Sequence, residues 1–510
     1  MQPTVLKAAG KEGLRRALHK KMLSLFLLVS FGAYKVQSVD EVIVIGAGAS
    51  GLAAARALTD AGQYKVTVLE ARPNRYGGRI WTNAENFQNT TGPEVDMGAS
   101  YIHHPDDTNS VVKLHRKFNL PMLEMNANGL IVVRERDSRP YTQTRIDAAG
   151  MKVDKAFEDV AVLSSKLKKD ISIYAALRQL NQSQLIDDPL SQTFVAVEEF
   201  NYGTAINNVS TKYINAGYAD VPNDSEKIPA LGYSKMLDRI VQNSPADTPL
   251  NIILGQEVTK VNVQEDKRVV IKCRNNETYK ADVVIVTLPL GVLKANGVKF
   301  TPDLSTKKRK AIKRVGFGTV NKVVLEFNKR FWPEDKQHLT VAVRDIDDRG
   351  KLCIMSSFHA IANKPVVVAY AVSHFGEQSE KMSNNQLKTI ALSRLRTAFG
   401  TALDPVSVVK MSRTRWKKDR FSRGSYSFPA VGIKKGDWDI LGEAEPPLFF
   451  AGEHTRTKQY GTVQTAIDTG RKAAKEVESY LNSANTAPVN VLSSFVILFS
   501  LFLSVFHIRL

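Results

Sequence analysis

Cysteine is the scarcest signal in this chain, with only Cys273 and Cys353 among 510 residues. Two thiols permit one disulfide at most, exclude a cysteine-ligated zinc site and leave the redox compartment open. Histidine is nearly as sparse, nine in all, and no HExxH pair occurs, so no metal site is expected. Acidic residues are in deficit, 51 against 70 basic ones, for a formal charge of +19. Such an excess suits an anionic surrounding: a polyanionic glycan, an anionic lipid or nucleic acid. The chain lacks zinc-finger spacing and an RRM-like aromatic motif, so nucleic acid is not expected as a partner.

Targeting segments are expected at both ends. Residues 1–38 hold seven Lys and Arg against Glu12, with the apolar Met22–Val29 and small residues near Ser38, the pattern of a signal peptide. A basic amphipathic transit peptide is the rival reading, and the tail favours the first. There Asn482, Ser483 and Ala484 are followed by a polar spacer and the apolar run Val491–Phe506. Sixteen apolar residues are short for a membrane span of about 20 residues and suit a GPI-attachment signal, with a tail anchor as the alternative. Sequons at Asn89, Asn181, Asn208, Asn223 and Asn276 fit a secretory route. The expected location is extracellular or the outer face of a membrane.

What the chain has in plenty begins at Glu41. Val42–Ile45 is a continuous apolar run suited to a strand buried on both faces of a parallel sheet, and Gly46, Gly48 and Gly51 follow it. These glycines permit a tight turn, a close approach of backbone to a pyrophosphate, and close packing of the helix that starts near Ser50. The next strand, Val66–Leu69, delivers Glu70, 19 residues beyond Gly51, where an acid accepts from an adenosine ribose and disfavours NADP. Strand, turn, helix and acid in register predict dinucleotide binding.

The continuation Glu-Ala-Arg-Pro-Asn-Arg-Tyr-Gly-Gly-Arg, from Glu70 to Arg79, resembles the flavin amine oxidase family of polyamine oxidases, monoamine oxidases, L-amino-acid oxidases and histone lysine demethylases. The resemblance runs from Glu41 to about Tyr480 and is weakest between Asp106 and Asp220. It implies a Rossmann-like α/β FAD-binding domain (GR2 type) interleaved with an α+β substrate-binding domain. The expected division is 39–108, 228–300 and 415–480 for FAD, and 109–227 and 301–414 for substrate, between a leader (1–38) and a tail (481–510).

The resemblance assigns Glu70, Ala71, Arg72, Gly78 and Arg79 to the dinucleotide, and Gly98, Ala99 and Ser100 to the floor beneath the flavin. Val258 would meet the adenine through its backbone. Gly452, Glu453, Thr462 and Val463 would hold the ribityl chain and the flavin's anionic edge. Without a cysteine near this last segment, the FAD is expected to be non-covalent. The segment Asp96–His104 departs from the family: Tyr101 stands for a tryptophan, His104 for a glycine, and His103 where plant-type polyamine oxidases carry Glu and animal-type ones His.

Lys322, within Gly316–Phe327, is the candidate of most consequence. Alternation alone reads it as an edge-strand lysine pairing with Glu326, whereas the resemblance places it beside flavin N5, holding a water. Trp416 and Tyr426 match an aromatic wall at the flavin and substrate, with core packing as the alternative. Glu198 and Glu199 suggest carboxylates facing a polycation, or a solvated helix face; Glu199 is carried forward as the substrate ligand.

The implied reaction takes a hydride from the carbon beside a neutral secondary amine, hydrolyses the imine and reoxidises the flavin with dioxygen to hydrogen peroxide. A polyamine substrate such as spermine, spermidine or an acetylated polyamine is expected. An L-amino-acid oxidase would need an arginine clamp for the substrate carboxylate, and none is evident. Histone demethylation would ordinarily bring chromatin-binding modules. A catalytically degenerate secreted flavoprotein that acts by binding is the remaining alternative.

Overall fold

The computed structural model describes residues 39–486 apart from 83–94, 126–129, 135–138, 218–224, 243–247, 343–344 and 359–363. The expected leader, the apolar run 491–506, and the sequons at Asn89 and Asn223 lie outside these residues. Asn181, Asn208 and Asn276 are exposed, and both cysteines are buried and unbonded. Among the described residues no helix is long and apolar enough to cross a membrane.

The first strand, β1 (Asp40–Ile45), turns at Gly46, whose φ of 103° favours glycine, into helix α1 (Ala49–Ala61) and then strand β2 (Tyr64–Leu69). Val42–Ile45 are at most 4% exposed because β1 is flanked on both sides. The sheet runs Leu448–Phe450, Val283–Val286, β1, β2, Ile252–Ile253. Val283–Val286 pairs in parallel with β1 and with Leu448–Phe450, setting Val42 opposite Val283 and Val284 opposite Leu448, and β2 pairs in parallel with Ile252–Ile253. The chain therefore leaves and re-enters this sheet across some 400 residues. Gly51 meets the third requirement of the motif, since a Cβ there would stand 1.9 Å from the Gly46 carbonyl oxygen.

A second, six-stranded sheet runs 408–413, 320–327, 366–372, 351–357, 338–342, 130–134. The strand carrying Lys322, β3 (Val320–Phe327), is interior, paired antiparallel with Val366–Val372 and Val408–Arg413. That corrects the edge-strand alternative. The described residues between 109 and 227 form mainly helices, including α2 (Pro189–Tyr202), which ends on Gly203 at φ 67°. Val258 opens a strand (Val258–Val263) of a separate four-stranded sheet.

The last helix, α3 (Val463–Thr486), packs on α1, and Gly470 lets it: a Cβ there would lie 2.1 Å from the Ser50 carbonyl oxygen. Ile467, Ala474 and Val477 share one core with Leu52, Ala55 and Leu58. The expected tail boundary at 481 falls inside this helix, because apolar contacts continue through Leu481.

Glu199 is also corrected. It is 4% exposed, pairs with Arg349 at 2.8 Å and accepts from the Ile206 N–H at 3.1 Å. Burial pushes its carboxyl up, and Arg349 opposes the shift. The pair joins α2 to the turn that precedes the strand 351–357, and neither side chain lines the cavity described below. Arg349→Met, which leaves this carboxylate buried and alone, is expected to cost about 3–5 kcal/mol in a denaturant titration. The double variant Glu199→Leu/Arg349→Met should recover most of the loss.

Candidate functional site

One cavity of about 880 Å³ is lined by residues from both sheets and from α2. At one end stand the β1–α1 turn, with Gly46, Gly48 and Ser50, and the strand-end acid Glu70. Among the described residues, the amides at the start of α1 have no side-chain cap and the buried Ser50 hydroxyl has no partner. A Cβ on Gly48 would meet nothing within 4 Å. An uncapped helix start with an orphaned hydroxyl and an open glycine is an anion site of the kind a pyrophosphate fills. Glu70 accepts from the Ala47 N–H (2.8 Å) and the Arg72 N–H (2.9 Å), which fixes its carboxylate at the cavity wall. Arg72 is in turn tied to Asp419 (2.5 Å) and Ser422 (3.1 Å). The residues present therefore fit a dinucleotide.

Ala71, Gly78, Arg79, Gly98, Ala99, Ser100, Val258, Gly452, Thr462 and Val463 also line the cavity. Gly51 does not, and lies behind the turn. Gly98 is required by contact, because a Cβ there would sit 1.8 Å from the Arg79 carbonyl oxygen. Glu453 accepts from Arg79 (2.8 Å), the Ser427 hydroxyl (2.7 Å) and the Gly461 N–H (3.1 Å). Burial would push its carboxyl up, yet Arg79 foremost, with His454 and the Ser427 hydroxyl, holds it below the usual carboxylate range. Glu453 is thus a fixed negative charge bracing Arg79.

Lys322 crosses between the two halves. Its ammonium donates to the Asp96 and Gly98 carbonyl oxygens, each at 2.7 Å, and to the Ser100 hydroxyl. It does not turn to Glu326. Burial pushes it down to about 8, with Asp96 opposing. Its backbone N–H donates to Thr414 Oγ1 (2.8 Å), and Asn321 Oδ1 accepts from the Trp416 N–H (2.9 Å), so one strand sets both Lys322 and Trp416. Trp416 meets Trp81 edge-on at 6.4 Å.

The far end is aromatic. The Tyr426 hydroxyl donates to the Phe200 carbonyl oxygen, and Phe200 packs on Tyr370 with centroids 4.7 Å apart. Tyr370 is the cross-strand neighbour of Lys322. His103 Nδ1 lies 2.7 Å from Glu226 Oε1. His104 adopts φ 49°, so the turn of a glycine is kept by a bulkier residue. Glu198, rather than Glu199, lines the cavity, and burial, with Asp154 adding to it, pushes its carboxyl up to about 7.

Sequence reasoning passed over Tyr370 and Glu226. Each reaches the site through strand pairing, opposite Lys322 and His103 respectively, and no local pattern marks either.

Against known families, residues 49–478 match the flavin containing amine oxidoreductase model. Polyamine oxidase 5 of Oryza sativa subsp. japonica is 29% identical over 88% of this chain and 89% of its own length. Polyamine oxidase 4 of the same plant is 30% identical over 86% and 88%. Lysine-specific histone demethylase 1 homolog 2 of Arabidopsis thaliana is 30% identical over 88% of this chain and 60% of its own length.

Lys322→Met is expected to lower turnover by about 10²–10⁴-fold. It should also remove a limb near pH 8 from the wild-type pH–rate profile, where the ammonium loses its proton. An unchanged profile would count against a role for this group.

Proposed function

The chain belongs to the flavin-containing amine oxidoreductase family and is an FAD-dependent amine oxidase, and we propose that the amines it oxidises are polyamines. The observation that carries this reading is Glu198, a carboxylate set into an aromatic wall beside Phe200 and Tyr426, where a chain of ammonium and methylene groups finds both charge and apolar surface. Four of the five arginines on the cavity, Arg72, Arg79, Arg274 and Arg420, are each tied to a protein carboxylate, which disfavours their clamping an amino acid's carboxylate.

FAD, when bound, accepts two electrons from the amine and passes them to dioxygen. In this reading the α1 start and Ser50 hold its pyrophosphate, Glu70 its ribose, and Val258 the adenine. Gly452, Glu453, Thr462 and Val463 border the other end, where the start of α3 favours negative charge. Lys322, pinned on three oxygens, keeps a proton donor fixed between Ser100 and the cavity. Because the Ser100 hydroxyl can donate as well as accept, the lysine can lose a proton without leaving its place. Tyr426, Phe200 and Tyr370 shield the reacting carbon from water. Glu198 draws in a neighbouring ammonium.

Anaerobic mixing with spermine, spermidine, acetylated polyamines and L-amino acids tests the substrate class. Polyamines are expected to bleach the 450 nm band and, in air, to yield one hydrogen peroxide per turnover. Bleaching by amino acids alone would select that other oxidase activity, and bleaching by none a binding role. The reading includes a secretory route ending at a membrane surface, supported by the apolar segments 22–29 and 491–506. Release of activity from intact cells by a phosphatidylinositol-specific phospholipase is expected, and full retention would point to an anchor of peptide.

A further inference from the structure

Most charged groups that the reaction does not use are accounted for by packing. Glu199 and Arg349 close on each other at 5% and 3% side-chain exposure. Lys308 donates to the Ile440, Leu441 and Glu443 carbonyl oxygens and lies 3.9 Å over the Phe450 ring, capping a helix end. The His103–Glu226 pair differs from both. Its side chains are 40% and 35% exposed, and both residues line the cavity.

Strand register fixes the pair. Glu226 opens the strand Glu226–Pro229, and His103 is its direct antiparallel neighbour on Ile102–His103. His103 occupies Oε1 of Glu226 at 2.7 Å, and among the described residues no protein donor is recorded at Oε2. Beside the pair lies a hydroxyl cluster whose members satisfy one another: Tyr101 to Tyr370 (2.9 Å) and to Ser356 (3.2 Å), and Tyr370 to Ser356 (3.3 Å). After burial, the charge of Glu226 is among the influences that hold the Tyr101 and Tyr370 phenols above their ordinary value. Tyr370 pairs with Lys322 across the sheet, and Tyr101, next to the Ser100 that receives the ammonium, is hydrogen-bonded to Tyr370.

We propose that Glu226, oriented by His103, is the specificity-determining carboxylate that anchors a second cationic centre of the substrate and so sets which carbon is presented for oxidation. The inference rests on the polyamine reading and assigns a subsite to it. A half-open carboxylate on the cavity wall with one oxygen fastened is preorganised for an ammonium, because the hydrogen bond to His103 fixes its rotamer before the ligand arrives. The paired hydroxyls beside it offer further acceptors to the same ammonium.

The test uses the full-length FAD-loaded protein and follows peroxide formation from spermine and from an N-alkyl monoamine that has no second charge. Glu226→Gln is expected to raise KM for spermine roughly 10- to 100-fold, to leave its kcat within a few-fold, and to leave the monoamine's constants unchanged. Glu226→Asp, which keeps the charge, should restore most of the spermine KM. Flavin absorbance and melting temperature report the fold, and Glu226→Met replaces the Gln variant should that one fail to retain flavin. Equal losses on both amines, or an Asp variant as impaired as Gln, would overturn the anchoring role and leave the polyamine reading standing. A wild type that prefers the monoamine would overturn both.

Discussion

A single buried ammonium ties this molecule together. Lys322 belongs to the six-stranded sheet, and the oxygens that receive it, on Asp96, Gly98 and Ser100, belong to a segment more than 200 residues earlier. Leaving any of these acceptors unmatched inside the protein would be costly, so the two halves are held at one separation. The cavity between them owes its shape to that bond set. The contacts that place Trp416 and Tyr426 come from the same strand and the turn before it, through Asn321 and through the Gly318 N–H, which donates to the Tyr426 carbonyl oxygen at 2.8 Å.

The two ends of the cavity have opposite electrostatic character. Around α1 stand donors without a protein acceptor among the described residues, the uncapped amides and the Ser50 hydroxyl. Around α2 the surplus is of carboxylate and ring face, from Glu198, Glu226, Phe200 and Tyr426. On the proposed reading, an anionic cofactor and a cationic substrate would share one space without competing for the same wall. The carboxylates at Glu70 and Glu453 do not blur this division, because each is consumed by protein donors.

What could be read from the residues is what depends on neighbours in the chain. The strand, turn and helix from Asp40 to Ala61 were legible because apolar run, glycines and helix formers succeed one another, and the structure places Glu70 at the wall of that turn. Lys322 was ambiguous on pattern alone, and only the resemblance singled it out; the interior position of its strand depends on residues 40 to 90 positions away. Glu198 and Glu199 illustrate the limit. Adjacent on one helix, they differ in that Arg349, 150 residues on, captures one and leaves the other facing the cavity. Glu226 and Tyr370 were silent for the same reason.

The packing of α3 on α1 has a consequence for how the protein is made. The β1–α1 turn leaves the ribosome among the first folded residues, but the surface that covers it, from Gly452 to Gly470, comes more than 400 residues later. At common elongation speeds of about 5–20 residues per second, the nascent chain spends tens of seconds with half a crevice. Cofactor capture is therefore a closing event of biogenesis, and a ribosome stalled before the final helix releases a polypeptide with its prosthetic-group site unfinished.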